Sequence, residues 1–116
     1  MSGRIYRNII EVRQGDSFNI LLEFRHCSKE ADLHKAELLM QVRDKDGGLV
    51  FSCVGESVEA QKGKMILRLT PEMTAAEEGD YFCDIQLTTD DGRINTIFPA
   101  NVNQVGTFRI TKQITK

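Results

Sequence analysis

Apolar and polar residues alternate along most of this chain. The alternation is clearest in four stretches, where every second residue is apolar. The apolar members are Phe18, Ile20, Leu22 and Phe24; Ala36, Leu38, Met40 and Val42; Met65, Leu67 and Leu69; and Tyr81, Cys83, Ile85 and Leu87. A period of two places these residues on one face of a β-strand and the polar residues on the other. The pattern therefore predicts half-buried strands that pack around a shared apolar core.

Turn sequences separate the predicted strands. Segments 44–48 and 88–92 both combine aspartate with glycine, which a tight β-hairpin requires. Pro71 follows Thr70 and predicts a short helical turn near residues 71–77, because proline is favoured at the first helical position. Together these signals predict an all-β fold, an Ig-like antiparallel β-sandwich of roughly seven to nine strands. At 116 residues, the chain is expected to form a single domain over residues 1–116.

The start of the strand at Tyr81 has a distinctive sequence. Glu77 and Gly79 precede Tyr81 in a turn, and the apolar alternation begins at the tyrosine itself. A tyrosine in this position fills the edge of a sandwich core while its hydroxyl bonds to backbone a few residues upstream. We therefore expect Tyr81 to be mostly buried and to fix the corner at which the chain enters a central strand.

Three apolar residues break the alternation. Leu21, Leu39 and Ile66 fall on the faces of their strands that carry polar residues. Single exposed apolar residues are normal on protein surfaces. These three are nevertheless the candidate partner-binding residues, because they point away from the predicted core.

Composition excludes several classes of function. The chain has 41% hydrophobic and 28% charged residues and a net charge of −2, with its basic residues scattered singly, so no nucleic-acid partner is expected. No apolar run approaches the length of a membrane span, and residues 1–7 lack the apolar stretch of a secretory signal. A soluble protein without a membrane partner is expected, in a reducing compartment.

The chain contains three cysteines, Cys27, Cys53 and Cys83. An odd number in a chain without a signal sequence favours reduced thiols. Cys83 has the buried parity of its strand, whereas Cys27 has the outward parity of the strand that begins at Phe18. A disulfide between these two residues is therefore disfavoured, and all three cysteines are expected to be free.

Residues with metal-binding chemistry occur in two places. His26, Cys27, Asp32 and His34 lie close in sequence, but a zinc site normally needs a second ligand cluster, and the sequence has none. Asp44, Asp46, Asp90 and Asp91 carry oxygen ligands that calcium prefers, but neither pair matches a known calcium loop, and hairpin turns themselves require aspartate. Solvated loops and turns are the favoured interpretation, with no metal and no cofactor.

No spacing indicates an active site. Gly47 and Gly48 are not followed by the lysine and helix of a phosphate-binding loop. Asp84 stands alone on the outward face of an apolar strand. It could bind an arginine of a partner, although a solvated or cross-strand-paired carboxylate is favoured. The chain is therefore not expected to be an enzyme.

Several short motifs occur in an order that resembles a known family. They are Gly15-Asp16-Ser17-Phe18; Asp32-Leu33 leading to Met40-Gln41-Val42-Arg43; the Leu-x-Leu-x-Pro-x-x-Thr segment 67–74; Gly-x-Tyr-x-x-Asp-Ile-Gln-Leu at 79–87; and the segments 91–97 and 106–111. Their order and spacing resemble tailed-phage virion proteins related to the N-terminal domain of phage baseplate upper proteins. The corner at 77–83 also resembles immunoglobulin-like domains, although this sequence has no tryptophan.

The resemblance implies a non-enzymatic structural protein of a phage particle. Such a protein would join other virion subunits in a tail, baseplate or neck, within a homo-oligomer or another symmetric assembly. It would be assembled in the host cytoplasm and located in the virion. The alternative is an Ig-like adhesion or binding module of a cell surface or periplasm. A carbohydrate-binding sandwich is disfavoured, because the chain has no tryptophan and only two tyrosines for an aromatic platform.

Overall fold

The computed structural model describes residues 3–26, 29–30, 35–59, 63–100 and 104–112. Twelve β-strands and one 3-10 turn occur within these residues. The strands are β1 (Gly3–Tyr6), β2 (Ile9–Arg13), β3 (Phe18–Glu23), β4 (Arg25–His26), β5 (Lys29–Glu30), β6 (Glu37–Arg43), β7 (Leu49–Val54), β8 (Glu56–Glu59), β9 (Lys64–Leu69), β10 (Gly79–Thr88), β11 (Ile94–Phe98) and β12 (Gly106–Thr111). The 3-10 turn spans Met73–Ala75.

Two sheets form the sandwich. The large sheet has the order β1-β2-β12-β10-β6-β7, and β11 pairs with the second half of β10. The small sheet has the order β3-β9-β8. Strands β4 and β5 form a separate short pair. The pairs are antiparallel except for β2 and β12, which run parallel over Ile9–Arg13 and Thr107–Thr111.

The core lies between the inward faces of the two sheets. It contains the residues that the alternation places inward, among them Met40 on β6, Leu67 on β9 and Phe108 on β12, each fully buried. The Phe51 and Phe108 rings meet edge to face, with centroids 5.4 Å apart. Aromatic pairs favour this geometry because the positive edge of one ring faces the negative face of the other.

One glycine carries the chain between the sheets. Gly55 joins β7 of the large sheet to β8 of the small sheet, and its N–H donates to the Leu38 carbonyl at 2.8 Å. A Cβ atom on Gly55 would lie 2.7 Å from the Leu38 side chain, closer than atoms normally approach. The absence of a side chain therefore allows the chain to pass close to Leu38 of β6 as it leaves the large sheet.

The corner before β10 forms as the sequence predicts. The Tyr81 hydroxyl donates to the Glu77 carbonyl at 2.6 Å, and the ring is half-buried against the core. Burial, with the nearby Glu77 and Asp44 carboxylates, raises the pKa of this phenol. The hydrogen bond closes the turn that leads from the 3-10 helix into the longest strand of the large sheet.

The predicted all-β sandwich is confirmed, with three differences in detail. The described residues hold more strands than predicted, and β4 and β5 are short additions beside the regular alternation. The apolar residues Ile9, Ile10 and Val12 predict one strand over residues 5–13, but this segment forms a hairpin of β1 and β2 that turns at Arg7, whose φ is +54°. The sheet is not purely antiparallel, because β12 returns beside β2. The helical turn lies within the predicted segment 71–77, with the Met73 N–H donating to the Thr70 carbonyl at 3.1 Å.

Both cysteines in the described part of the chain are free and buried. Burial raises the pKa of the Cys53 thiol and raises that of Cys83 to about 12, so both are protonated at neutral pH. The Cys53 thiol donates to the Arg68 carbonyl of β9 at 3.4 Å. Cys27 lies outside the described residues. Cys53 and Cys83 are therefore apolar core residues.

Candidate functional site

Two of the three candidate partner-binding residues are direct neighbours. Leu21 on β3 lies opposite Ile66 on β9, on the outward face of the small sheet. The Leu21 side chain is 61% exposed and Ile66 is half-buried. Beside them, Arg68 and Glu56 form an ion pair at 3.2 Å. An apolar centre with a charged border is the usual anatomy of a protein interface.

Leu39 lies on the other sheet. It is half-buried on the outward face of β6, opposite Val54 of β7 and Gln86 of β10. Val54 is 70% exposed and forms with Leu39 a second, smaller apolar pair. The three candidates therefore do not share one surface. Alternation assigns each residue to the outside of its strand, but the sheet to which a strand belongs depends on long-range pairing.

A groove of about 300 Å³ opens on the outward face of the large sheet. β10 pairs with β12 as far as Cys83 and with β11 from Ile85 onward, so the two neighbouring strands part at Asp84. We call this depression the β11–β12 groove. Its apolar lining comes from Phe82, Pro99 and Val105, and its polar lining from Gln41, Arg43, Asp84, Thr96 and Gln104.

Gly106 closes the inner end of the β11–β12 groove. A Cβ atom on this residue would overlap the Cys83 carbonyl oxygen and lie 3.0 Å from the Phe98 ring. Any larger residue would push β12 away from β10. The glycine thus keeps β12 close to β10 just before the point where the neighbour of β10 changes from β12 to β11. This close approach fixes the shape of the groove.

Two side chains of β10 face the β11–β12 groove. Phe82 is 48% exposed, and Asp84 lies two residues further along the same face. The cross-strand neighbour of Asp84 is Gln41, an uncharged residue. Within the described part of the chain, the Asp84 carboxylate accepts no hydrogen bond and forms no ion pair. Of the two favoured interpretations, a cross-strand ion pair does not occur among these residues, and a solvated carboxylate remains.

Arg43, the cationic residue that lines the same groove, already forms two hydrogen bonds within the protein. Arg43 donates from Nη1 to the Gly47 carbonyl at 3.0 Å and from Nη2 to Gln41 Oε1 at 3.3 Å. These bonds hold the guanidinium towards the β6–β7 hairpin. Asp84 is left as the charged group of the groove without a bonded partner among the described residues.

The remainder of this face carries a row of alternating charges. Arg4, Glu11, Arg109 and Asp80 lie side by side across β1, β2, β12 and β10. We call this row the charge ladder. Arg4 Nε lies 2.8 Å from Glu11, and Arg109 binds both oxygens of Asp80, at 2.8 and 3.2 Å. The hydrogen bond from Arg109 lowers the pKa of Asp80, and the Asp80 carboxylate raises that of Arg109.

Tyr6 adds two further contacts to the charge ladder. The Arg4 guanidinium lies 4.7 Å above the centre of the Tyr6 ring, and Arg109 Nη1 donates to the Tyr6 hydroxyl at 3.1 Å. These contacts attach the N-terminal strand to the centre of the large sheet. The charges of the ladder pair with one another across neighbouring strands, so a structural role accounts for them and no ligand is needed to explain them.

The acidic turns also have structural explanations. Asp44 Oδ1 accepts hydrogen bonds from the N–H groups of Asp46 and Gly48. Asp91 accepts from the Thr89 hydroxyl and the Arg93 N–H. No cluster of three or more potential metal ligands occurs within the described residues. The sequence candidates Cys27, Asp32 and His34 lie outside those residues.

No protein-family model and no curated protein matches the sequence. Among solved structures, the fold is similar to that of CopC from Methylosinus trichosporium OB3b, with a TM-score of 0.51 and 15% sequence identity. The match covers 91% of this chain and 86% of that chain. At this identity, the likeness shows a shared β-sandwich fold.

No helix in the described part of the chain is long and apolar enough to cross a membrane.

Proposed function

We propose that this protein is a non-enzymatic adaptor of a tailed-phage particle and that it binds other virion subunits. The order of the sequence motifs supports this, since they resemble the N-terminal domain of phage baseplate upper proteins over roughly residues 12–115. An adaptor needs a rigid core and an exposed docking surface, and it needs no catalytic group. Its location is then the virion, after assembly in the host cytoplasm.

The observation that carries the proposal is the apolar pair Leu21 and Ile66. Leu21 is 61% exposed at the middle of β3, where an isolated domain usually has a polar residue. The charges nearest to the pair include Arg68 and Glu56, which bind each other. The surface therefore offers apolar area without a strong net charge, which suits a protein partner better than nucleic acid.

The chain has enough accessible surface for a docking interface. A stable interface removes about 800 Å² from each partner. The accessible surface of the chain is 7693 Å², so such an interface would cover about a tenth of it. Repetition of one docking surface around an axis builds the trimeric or hexameric arrangements that particles of this kind use.

Mass spectrometry of purified particles tests the proposal. The protein is expected among the virion proteins, in a fixed ratio to a tail, baseplate or neck component. A protein absent from every particle and found instead on a cell surface or in a periplasm would contradict the proposal. That result would favour the adhesion or binding module.

A further inference from the structure

The β11–β12 groove contains a carboxylate whose surroundings suit a cation. Asp84 is half-buried, faces the groove and has neither a hydrogen bond nor an ion pair among the described residues. A partly buried carboxylate without a partner is less stable than one that binds a cation. The same groove has an apolar lining, which a small hydrated metal ion would leave unused.

The apolar lining narrows the identity of the cation. The Phe82 and Asp84 Cα atoms are about 7 Å apart, because they are two residues apart along one strand. A planar cation bound to the carboxylate can therefore also approach the Phe82 ring within the roughly 6 Å at which cations and aromatic rings attract. Pro99 and Val105 lie beside them and can cover an aliphatic stem. An arginine side chain has a positive charge for Asp84, a planar group for the Phe82 ring and an aliphatic stem that the other apolar lining can cover.

Arginine suits the groove better than lysine for two reasons. Its guanidinium binds a carboxylate through two parallel hydrogen bonds, and it stacks flat on an aromatic ring. Uncharged hydrogen-bonding groups, from Thr96 and Gln104, line the same groove. The intrinsic cation Arg43 does not fill the position, because its guanidinium nitrogens bind Gly47 and Gln41.

We propose that the β11–β12 groove binds an arginine side chain of a partner protein, with Asp84 pairing with the guanidinium and Phe82 stacking against it. This inference rests on the proposed adaptor function and names the partner's chemistry at a second contact. The groove lies on the large sheet, whereas Leu21 and Ile66 lie on the small sheet. An adaptor with both surfaces can join two different subunits.

The test uses the full-length ¹⁵N-labelled protein and three probes, N-acetyl-arginine amide, its uncharged citrulline analogue and N-acetyl-glutamate amide. The arginine probe is expected to cause saturable amide shifts at residues 82–84, 96 and 104–106. The citrulline analogue is expected to bind at least about tenfold more weakly, since a charged hydrogen bond is lost. Equal binding of citrulline, or saturable binding of the glutamate probe at these amides, would overturn the proposal.

Variants locate the contact. Asp84→Asn should weaken arginine binding by about tenfold or more, and Phe82→Leu by about two- to fivefold. Asp90→Asn, which removes an exposed carboxylate from the β10–β11 turn, should leave binding unchanged and is the matched control. An Asp84→Asn protein that binds as tightly as the wild type would refute the assignment.

A neutral monosaccharide series completes the experiment, because sugars also use aromatic and amide groups. Saturable shifts at the same amides with any of these sugars would assign the groove to a saccharide and overturn the proposal. If the arginine probe fails but the protein is present in particles, only the groove inference is wrong. If the probe binds but the protein is absent from particles, the adaptor function is wrong.

Discussion

The outward faces of the two sheets are built differently, although the same alternation of residues produces both. On the large sheet, Arg4, Glu11, Arg109 and Asp80 form a row in which each charge lies beside an opposite one. On the small sheet, the central position opposite Ile66 is occupied by Leu21, which is 61% exposed. The charges of this row pair with one another, whereas the centre of the small sheet leaves apolar area in contact with water. The large sheet exposes apolar side chains too, but away from the row, at Val54, Phe82 and Ile94.

This difference separates a surface with a structural role from the proposed docking surface. Charges that pair across strands hold neighbouring strands together and need no further molecule. An exposed leucine contributes favourable free energy only when another surface covers it and removes it from water. The large sheet has two exceptions, which are the apolar pair Leu39 and Val54 and the β11–β12 groove, where Asp84 has no partner among the described residues. Substitutions on the two faces should therefore have different consequences, with stability affected on one and association on the other.

The largest loss of stability is expected at the corner that begins the central strand of the large sheet. Tyr81→Ala removes a half-buried ring and the hydrogen bond to Glu77, and it should lower the free energy of unfolding by about 2–4 kcal/mol. Tyr81→Phe retains the ring and should cost only about 1 kcal/mol. Urea denaturation measures both values. A Tyr81→Ala protein as stable as the wild type would show that the corner does not support the large sheet.

A smaller loss is expected when the charge ladder is broken. Arg109→Met keeps an apolar stem but removes the contacts with Asp80 and Tyr6. It should lower the melting temperature by a few degrees at low ionic strength, and by less at high salt, because these exposed charges are screened. Equal losses at low and high salt would indicate that the ladder contributes through packing alone.

The ladder also has an expected pH dependence. The pKa of Asp80 is lower in the folded protein than in the unfolded chain, because Arg109 stabilises its carboxylate. The unfolded chain therefore binds a proton first as the pH falls. The stability that Asp80 supplies is fully present above its ordinary pKa and is lost as the pH falls through the folded value. Asp80→Asn should flatten this part of the stability profile, and an unchanged acid slope would contradict the prediction.

The inner faces of the sheets were predictable from the sequence, because alternation is a local property. Met65, Leu67 and Leu69 are all nearly inaccessible to water, as their spacing predicts. The Tyr81 hydroxyl also bonds upstream backbone as predicted, since the turn and the strand are adjacent in sequence. The ring was predicted to be mostly buried, and it lies partly buried at the edge of the core.

The outer surfaces were less predictable, because they depend on which strands become neighbours. The sequence marks Leu21 and Leu39 as outward but does not show that they lie on different sheets. The neighbours of Asp84 come from β6, β11 and the start of β12, which are distant along the chain. Its cross-strand neighbour proved to be Gln41, and no local pattern distinguishes that pairing from one with a basic residue. Val54, beside Leu39, carries the same outward apolar signal and was missed.

The proposed docking surface for another virion subunit is the outward face of the small sheet. The direct measurement is incorporation of Leu21→Lys into particles assembled in place of the wild-type protein, with Ile94→Lys as the matched control. Ile94 is 64% exposed, close to the 61% of Leu21, but lies on β11 of the large sheet. Both variants should keep their unfolding free energy within about 0.5 kcal/mol of the wild type. Ile94→Lys is expected to be incorporated normally and Leu21→Lys to be lost from the particles; normal incorporation of a folded Leu21→Lys protein would contradict the proposed docking surface.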